Sequence, residues 1–292
     1  RSRRLCAIQQ VDFSNAFNCM SRTRIVEFLT SHSPELLPLF YWSYGNRSPL
    51  YLSDGTLQCY SSTGVRQGDP LGPLFFCLGL QPLIKYLVER HPSCFVLAYM
   101  DDLTIMGEAE EVEKAFDAVR GLSEEFCNLT CNMPKCHLYC PRAEVQGGMR
   151  RSFSGLDGVE VMGSPVGDRE YQRRSLKTLM GKHSRIIPYL DLLSPICAFP
   201  ILRSCVNARP MHLTRTTPCM GIDEDLEAFD NLVDAAIMRM TASPLSVMPH
   251  HSRQIRGLSL DRGGLGIRRL HSIMTAAWSS SFLHANLMLA SH

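Results

Sequence analysis

Apolar, strand-like runs that stop at carboxylates constrain this sequence more than any other feature. The first, residues 5 to 13, carries Leu5, Ala7, Ile8 and Val11 and ends at Asp12. The second is double: Phe95 to Met100, then Asp101-Asp102, then Leu103 to Met106. Short apolar runs flanking a brief polar break predict a β-hairpin, here with Asp101-Asp102 at its tip. An Asp ending one strand beside a hairpin that bears another places carboxylates on one sheet edge. Such an edge suits hard divalent cations, which take carboxylate oxygens. Side chains of successive strand residues point to opposite faces, so one of the pair should ligate more directly than the other, and we choose Asp101. The bland alternative is a surface turn, where Asp is common.

Around these runs the chain alternates. Ser21 is placed to cap a helix carrying Ile25, Val26, Phe28 and Leu29, and Ser33-Pro34 to start the next. Leu50 to Tyr60 alternates about Asp54-Gly55, which predicts a type I′ hairpin. A Gly- and Pro-rich loop, Gly64 to Pro73, leads into an apolar helix with Leu80, Leu83, Ile84, Leu87 and Val88, kinked at Pro82. Val112, Phe116, Val119 and Phe126 predict a further helix, and Leu138-Tyr139 and Val159 to Met162 short strands. After Gly167 helical patterns take over, at roughly 170–193 and 223–241, the latter with Leu226, Phe229, Val233, Ile237 and Met240 on one stripe. We therefore expect an α+β half followed by a helical one.

Composition bounds the partners. With 45% apolar residues the chain can fill a core, and with 20% charged residues it is no disordered tail. A net charge of +2 means that any nucleic-acid contact must come from local basic clusters. No run approaches a membrane span. Arg1-Ser2-Arg3-Arg4 enters the first strand without a signal peptide, which reads as an excised piece of a larger protein in an intracellular setting. The 12 cysteines therefore read as reduced thiols. Cys127, Cys131, Cys136, His137 and Cys140 lack the tight Cys-x₂-Cys pairs of structural zinc and read as buried thiols.

Five segments then supply a resemblance. Asp12-Phe13-Ser14-Asn15-Ala16-Phe17-Asn18 resembles the first palm motif of reverse transcriptases, and Gly64-Val65-Arg66-Gln67-Gly68-Asp69-Pro70-Leu71-Gly72-Pro73 the second. Tyr99-Met100-Asp101-Asp102 is similar to the third, Asn132-Met133-Pro134-Lys135 to the fourth, and Met162-Gly163-Ser164-Pro165-Val166-Gly167 to the fifth. They stand in family order. The long second motif and Gly263-Gly264-Leu265-Gly266-Ile267 resemble the non-LTR retrotransposon branch.

The resemblance implies a right-hand polymerase palm, an antiparallel sheet with packed helices, over 1–167. A mostly helical thumb over 168–250 and a C-terminal connecting region over 251–292 would follow. It implies an RNA template, a DNA primer, dNTPs and two Mg²⁺ ions, for which Mn²⁺ can substitute. The ligands would be Asp12, Asp101, Asp102 and the Phe13 carbonyl. Phe17 would exclude a 2′-hydroxyl, Gln67 and Gly68 would approach the nucleotide, and Lys135 would protonate pyrophosphate. Met162, Gly163 and Ser164 would grip the primer. Arg169, Arg173, Arg174 and Lys177, opposed locally by Asp168 and Glu170, would follow the nucleic-acid backbone. Arg253, Arg256, Arg262, Arg268 and Arg269 form a second basic cluster.

The family's fingers and endonuclease regions are expected in the parent polypeptide, the site of action in the nucleus, and activity of the chain alone weak or nil. Three rivals remain at this point. An RNA-dependent RNA polymerase must admit a 2′-hydroxyl, which Phe17 argues against. Group II intron maturases and telomerase share the palm, but the long second motif and the Gly263–Ile267 segment fit retroelements better. The third is a catalytically inactive, truncated fragment that still binds nucleic acid.

Overall fold

The strand that ends at Asp12 organises the first half of the molecule. In the computed structural model it forms as β1 (Cys6–Val11), and the structure describes residues 6–141, 157–218, 221–245 and 247–290. Leu5 and the basic lead from Arg1 to Arg4 lie outside the described residues. Two compact units are present, Arg1–Met162 and Gly163–His292.

In the first unit β1 is followed by α1 (Ala16–Cys19), α2 (Arg22–His32) and α3 (Leu37–Tyr44). Next come β2 (Ser48–Tyr51), β3 (Leu57–Ser61), α4 (Gly72–Arg90), β4 (Phe95–Tyr99) and β5 (Asp102–Glu108). The unit continues with α5 (Ala109–Cys127), β6 (His137–Tyr139) and β7 (Gly158–Val161). The α+β class expected from the sequence is the one observed. Ser21 caps α2, its hydroxyl accepting from the Arg24 N–H at 3.3 Å.

The main sheet has strand order β4-β5-β1-β6, with β1 antiparallel to both its neighbours. Ala7, Val11, Leu103, Ile105 and Leu138 share one face and are buried against α4 and α5. Phe75, Phe76, Leu83, Leu87, Val112 and Phe116 fill the layer from the helix side, each fully or almost fully withdrawn from water. Each such side chain contributes about 1.5–3 kcal/mol of burial. Gln9 shares this buried face, and its amide is satisfied by donating to the Gln10 and His137 carbonyls at 2.7 and 3.2 Å. The opposite face carries Ile8 and Gln10 of β1, Thr104 and Met106 of β5, and Phe95, Leu97 and Tyr99 of β4, as the register dictates.

Three local expectations need correction. The β2–β3 connection is not a two-residue type I′ turn. Residues 52–56 form a longer loop in which only Gly55 has positive φ (85°), because the Asp54 carboxylate accepts the Thr56 N–H at 2.8 Å and holds another geometry. The tip of the β4–β5 hairpin is Met100-Asp101, with Asp102 already paired to Tyr99 as the first residue of β5. The helix expected over 170–193 ends at Ser184, and a separate short helix follows whose second residue is Pro188, which lacks the N–H a continuous helix needs.

The second unit holds β8 (Ser164–Gly167), α6 (Arg169–Ser184), α7 (Ile187–Leu190), α8 (Pro195–Ile201) and a π-helical segment, Leu202–Asn207. It continues with α9 (Met211–Thr216), α10 (Asp223–Met240), α11 (His250–Gly257) and α12 (Leu270–Ala290). Its core joins Leu176, Leu202, Val206, Phe229, Val233 and Ile237 with Ile267, Leu270 and Met274. The Asp230 carboxylate accepts the Leu270 and His271 N–H groups at 2.9 and 3.0 Å, capping α12 from a distant helix. Buried Arg256 pairs with Asp234 at 2.8 Å, and Arg253 and Arg269 join the same carboxylate. Three of the five arginines in the second basic cluster are thus tied to buried acids. The turn at Gly263–Ile267 allows this arrangement, since Gly263 and Gly266 have positive φ and a Cβ on Gly264 would lie 2.2 Å from the Leu258 carbonyl oxygen. No helix among the described residues is long and apolar enough to cross a membrane.

Candidate active site

Asp12 follows directly on β1, one step beyond the Val11–Leu103 pair. Continuing that register sets it opposite Asp102, on the sheet face that also carries Tyr99. Asp101 occupies the adjoining turn, preceded by Met100 at φ 54°. A bulky L residue adopts that backbone at a cost of about 1–3 kcal/mol, a form of strain that clusters at functional sites. The Asp102 carboxyl is pushed above the usual range by partial withdrawal from water and by the negative charges of Asp101 and Asp12.

A second segment completes this edge. Residues 130–136 lie along the residues after β1: Ser14 N–H donates to the Thr130 carbonyl at 2.9 Å, and Phe13 bridges to Cys131. Asn132 N–H donates to the Asp12 carbonyl at 2.8 Å. This pairing delivers Lys135, whose Nζ is 4.0 Å from the Asp12 carboxylate. Phe13 itself points into the core.

The donor chemistry of this edge is of the kind a divalent cation takes. Three carboxylates stand close enough to raise the pKa of one of them, and a cation would relieve that repulsion. Among the described residues no group of three acidic, His or Cys side chains is placed to hold a metal ion by itself. Mg²⁺ in phosphoryl-transfer sites uses one or two carboxylates and completes its shell with water and phosphate oxygens. The cysteine cluster has a different character: Cys127 donates to the Gly79 carbonyl at 3.4 Å, and burial pushes its thiol up to about 12.

The loop with Gln67 and Gly68 is sewn to the chain after Asp12. Val65 N–H donates to the Phe17 carbonyl at 2.7 Å and Gly64 N–H to the Met20 carbonyl at 2.9 Å. Gly64 has φ 69°, and a Cβ there would sit 2.3 Å from the Asn18 backbone, so only glycine permits the approach. Phe17 is half-buried and stacks on Phe76 at 4.7 Å. Gln67 and Gly68 are exposed, and Gly68 has φ 88°.

Other expected site residues are placed separately. Met162 ends the first unit at φ 51° and Gly163 begins the second at φ 75°. Ser164 Oγ lies 3.2 Å from His212 Nε2. Arg169, Arg173, Arg174 and Lys177 ride on α6, capped by Asp168. Asp168 and Glu170 are not their only counter-charges: Asp225 of α10 binds Arg173 at 3.2 Å and Lys177 at 3.6 Å. Sequence reading had no sign of that pairing, nor of Tyr44, Arg22 and Asp69 as the frame of the Gln67–Gly68 loop.

Residues 1–182 match the family described as reverse transcriptase (RNA-dependent DNA polymerase). Over 279 residues, 91% of the chain, the sequence is 32% identical to the retrotransposable element SLACS 132 kDa protein of Trypanosoma brucei gambiense. The chain spans 23% of that protein's length. Among solved structures, telomerase from Candida albicans aligns at TM-score 0.43 and 11% identity, over 80% of this chain and 44% of that one. Telomerase from Candida tropicalis aligns at TM-score 0.43 and 11% identity, over 96% and 46%.

Proposed function

The chain belongs to the reverse transcriptase family of RNA-dependent DNA polymerases, and from that premise we propose that its acidic sheet edge joins dNTPs to a primer 3′-hydroxyl on an RNA template. The observation that carries the reading is the meeting of Asp12, Asp102 and Lys135 at one strand end, with Asp101 in the adjoining turn.

In this reading residues 1–167 are the palm, 168–250 the thumb and 251–292 a connecting region of a retrotransposon polymerase acting in the nucleus. Asp12 and Asp101 hold two Mg²⁺ ions, Asp102 assists, and the Phe13 carbonyl lends an oxygen. When bound, the ions supply activation of the hydroxyl and neutralisation of phosphate charge. Lys135, held near Asp12, gives its proton to the departing pyrophosphate. Phe17 closes the space beneath the sugar, its ring fixed by Phe76. Gln67 and Gly68 meet the incoming nucleotide, where the lack of a side chain on Gly68 lets backbone approach. Met162, Gly163 and Ser164 hold the primer end. Arg169, Arg173, Arg174 and Lys177 follow its phosphates, with Asp225 fixing Arg173 and Lys177 on α6.

The test is Mg²⁺-dependent dNTP incorporation on a primed RNA template, by the chain alone, by the chain with its upstream fingers region restored, and by Asp12→Asn and Asp101→Asn variants of both. Incorporation that both substitutions abolish supports the assignment; incorporation that survives them overturns it.

A further inference from the structure

The loop that carries Gln67 and Gly68 is open at its tip. Nothing lies within 4 Å of where a Cβ on Gly68 would be. Its conformation must therefore be set at its two ends, and both ends meet one side chain. Tyr44, the last residue of α3 and 2% exposed, donates its hydroxyl proton to the Asp69 carboxylate and accepts the Arg66 N–H at 3.2 Å. A single phenol thus joins the residues before and after Gln67-Gly68. The other Asp69 oxygen accepts the Leu71 N–H at 2.9 Å, passing the constraint to the start of α4.

Tyr44 is itself immobilised. Its ring stacks on Phe40 at 5.5 Å and meets Phe75 edge-on at 5.8 Å. The guanidinium groups of Arg22 and Arg66 lie 5.3 and 5.1 Å from the ring centroid, within cation–π range. Among the described residues no carboxylate pairs with either guanidinium. Arg66 donates to the Ser43 carbonyl and to Ser48 Oγ, both at 2.7 Å. Arg22 donates to the Gly64 carbonyl at 2.9 Å, and to the Ser61 carbonyl and hydroxyl at 3.3 and 3.2 Å. Ser48 and Ser61 are the paired residues at the base of the β2–β3 hairpin, so the two arginines root that hairpin and the loop on the same ring.

We propose that Tyr44 is a positioning residue for the incoming nucleotide, its hydroxyl fixing both ends of the Gln67–Gly68 loop, and that Arg66 is a brace for that ring and not a triphosphate ligand. The inference rests on the reading of Gln67 and Gly68 as nucleotide-binding. It follows from where hydrogen-bonding capacity is used. Arg66 is the one cation within the loop, and it turns back towards the protein: its Nη2 donates to both Ser43 and Ser48, and its guanidinium lies against the Tyr44 ring.

The experiment compares the chain, with its upstream fingers region restored for the kinetics, with Tyr44→Phe, which keeps the ring and its cation contacts, and with Gln67→Ala. Amide hydrogen exchange should speed up by about tenfold at Arg66 and Leu71 in Tyr44→Phe, the effect of losing one bond to a charged acceptor, while Leu80 and Leu83 stay unchanged. In primer extension the dNTP KM should rise by about tenfold with kcat within about twofold, the pattern of lost binding and not lost chemistry. Unchanged exchange at Arg66 and Leu71 overturns the proposal. So does an unchanged dNTP KM in Tyr44→Phe when Gln67→Ala raises it. If Gln67→Ala leaves the dNTP KM unaltered, the nucleotide-loop reading itself fails, and this inference with it.

Discussion

Lys135 stands 4.0 Å from the carboxylate of Asp12 because the backbone puts it there: Asn132 N–H donates to the Asp12 carbonyl, and Lys135 N–H to the Asn132 carbonyl, both at 2.8 Å. Both side chains are well exposed, Lys135 at 67% and Asp12 at 38%, so the pair itself adds little stability. Lys135→Ala should therefore unfold within about 0.5 kcal/mol of the parent. Its single-turnover incorporation rate should fall by about 10²–10⁴-fold. Rapid-quench kinetics beside urea denaturation separates the two; an unaltered rate removes the proton-donor role.

The three carboxylates should not be equivalent. Asp12→Asn and Asp101→Asn are expected to lose several kcal/mol of transition-state stabilisation, on the order of 10³-fold in rate. Asp102→Asn should lose less. The register nevertheless sets Asp102 opposite Asp12, so Asp102→Asn is also the direct check on our choice of Asp101. A larger loss at Asp102 than at Asp101, at saturating Mg²⁺, would reverse the assignment.

Phe17 is both packed and exposed, which gives its substitution two readouts. Phe17→Val should raise ribonucleotide incorporation relative to dNTP incorporation. It should also destabilise, because the stack on Phe76 is worth about 0.5–1.5 kcal/mol beyond burial. Selectivity equal to the parent's would leave Phe17 as a packing residue alone.

Gly64→Ala tests the junction between the Asp12 segment and the nucleotide loop. A Cβ would lie 2.3 Å from the Asn18 backbone, at φ 69°, and backbone cannot move aside as a flexible side chain can. We expect a loss exceeding about 1 kcal/mol. Gly121→Ala, mid-helix with open space around its Cβ site, should stabilise by about 0.5–1 kcal/mol and serves as the control.

Stability should depend on pH through the Tyr44–Asp69 bond. That bond holds the Asp69 carboxyl below its ordinary range, while burial and the same bond raise the Tyr44 hydroxyl. A depressed carboxyl contributes stability above its unfolded pKa of about 3.9, lost as pH falls through the folded value. A raised phenol contributes below about 10 and loses its contribution as pH rises through the folded value. The stability deficit of Tyr44→Phe should be constant between these limits and shrink towards pH 3. Denaturation midpoints at pH 3, 5 and 7 decide this, and a deficit that does not change would show that the bond is not coupled to ionisation.

The sequence by itself determined the local elements and the inventory of reactive groups. Short apolar runs on either side of the break at Met100–Asp102 specify the β4–β5 hairpin, and the 3.6-residue spacing of Val112, Phe116 and Val119 specifies α5, because both rest on contacts within a few residues. Capping was legible at Ser21 for the same reason. Only the tertiary structure decided which groups meet. The register that sets Asp12 across from Asp102 depends on which face of β1 packs against α4 and α5. The strand-like pairing of 130–132 with 12–14 brings Lys135 home. Asp225 claims Arg173 and Lys177, and Asp230 and Asp234 claim the arginines near the C-terminus, through helix packing that leaves no mark on local spacing. Tyr44 reads in sequence as one more aromatic, since nothing near it in the chain reveals that its hydroxyl is to span the two ends of a loop more than 20 residues away.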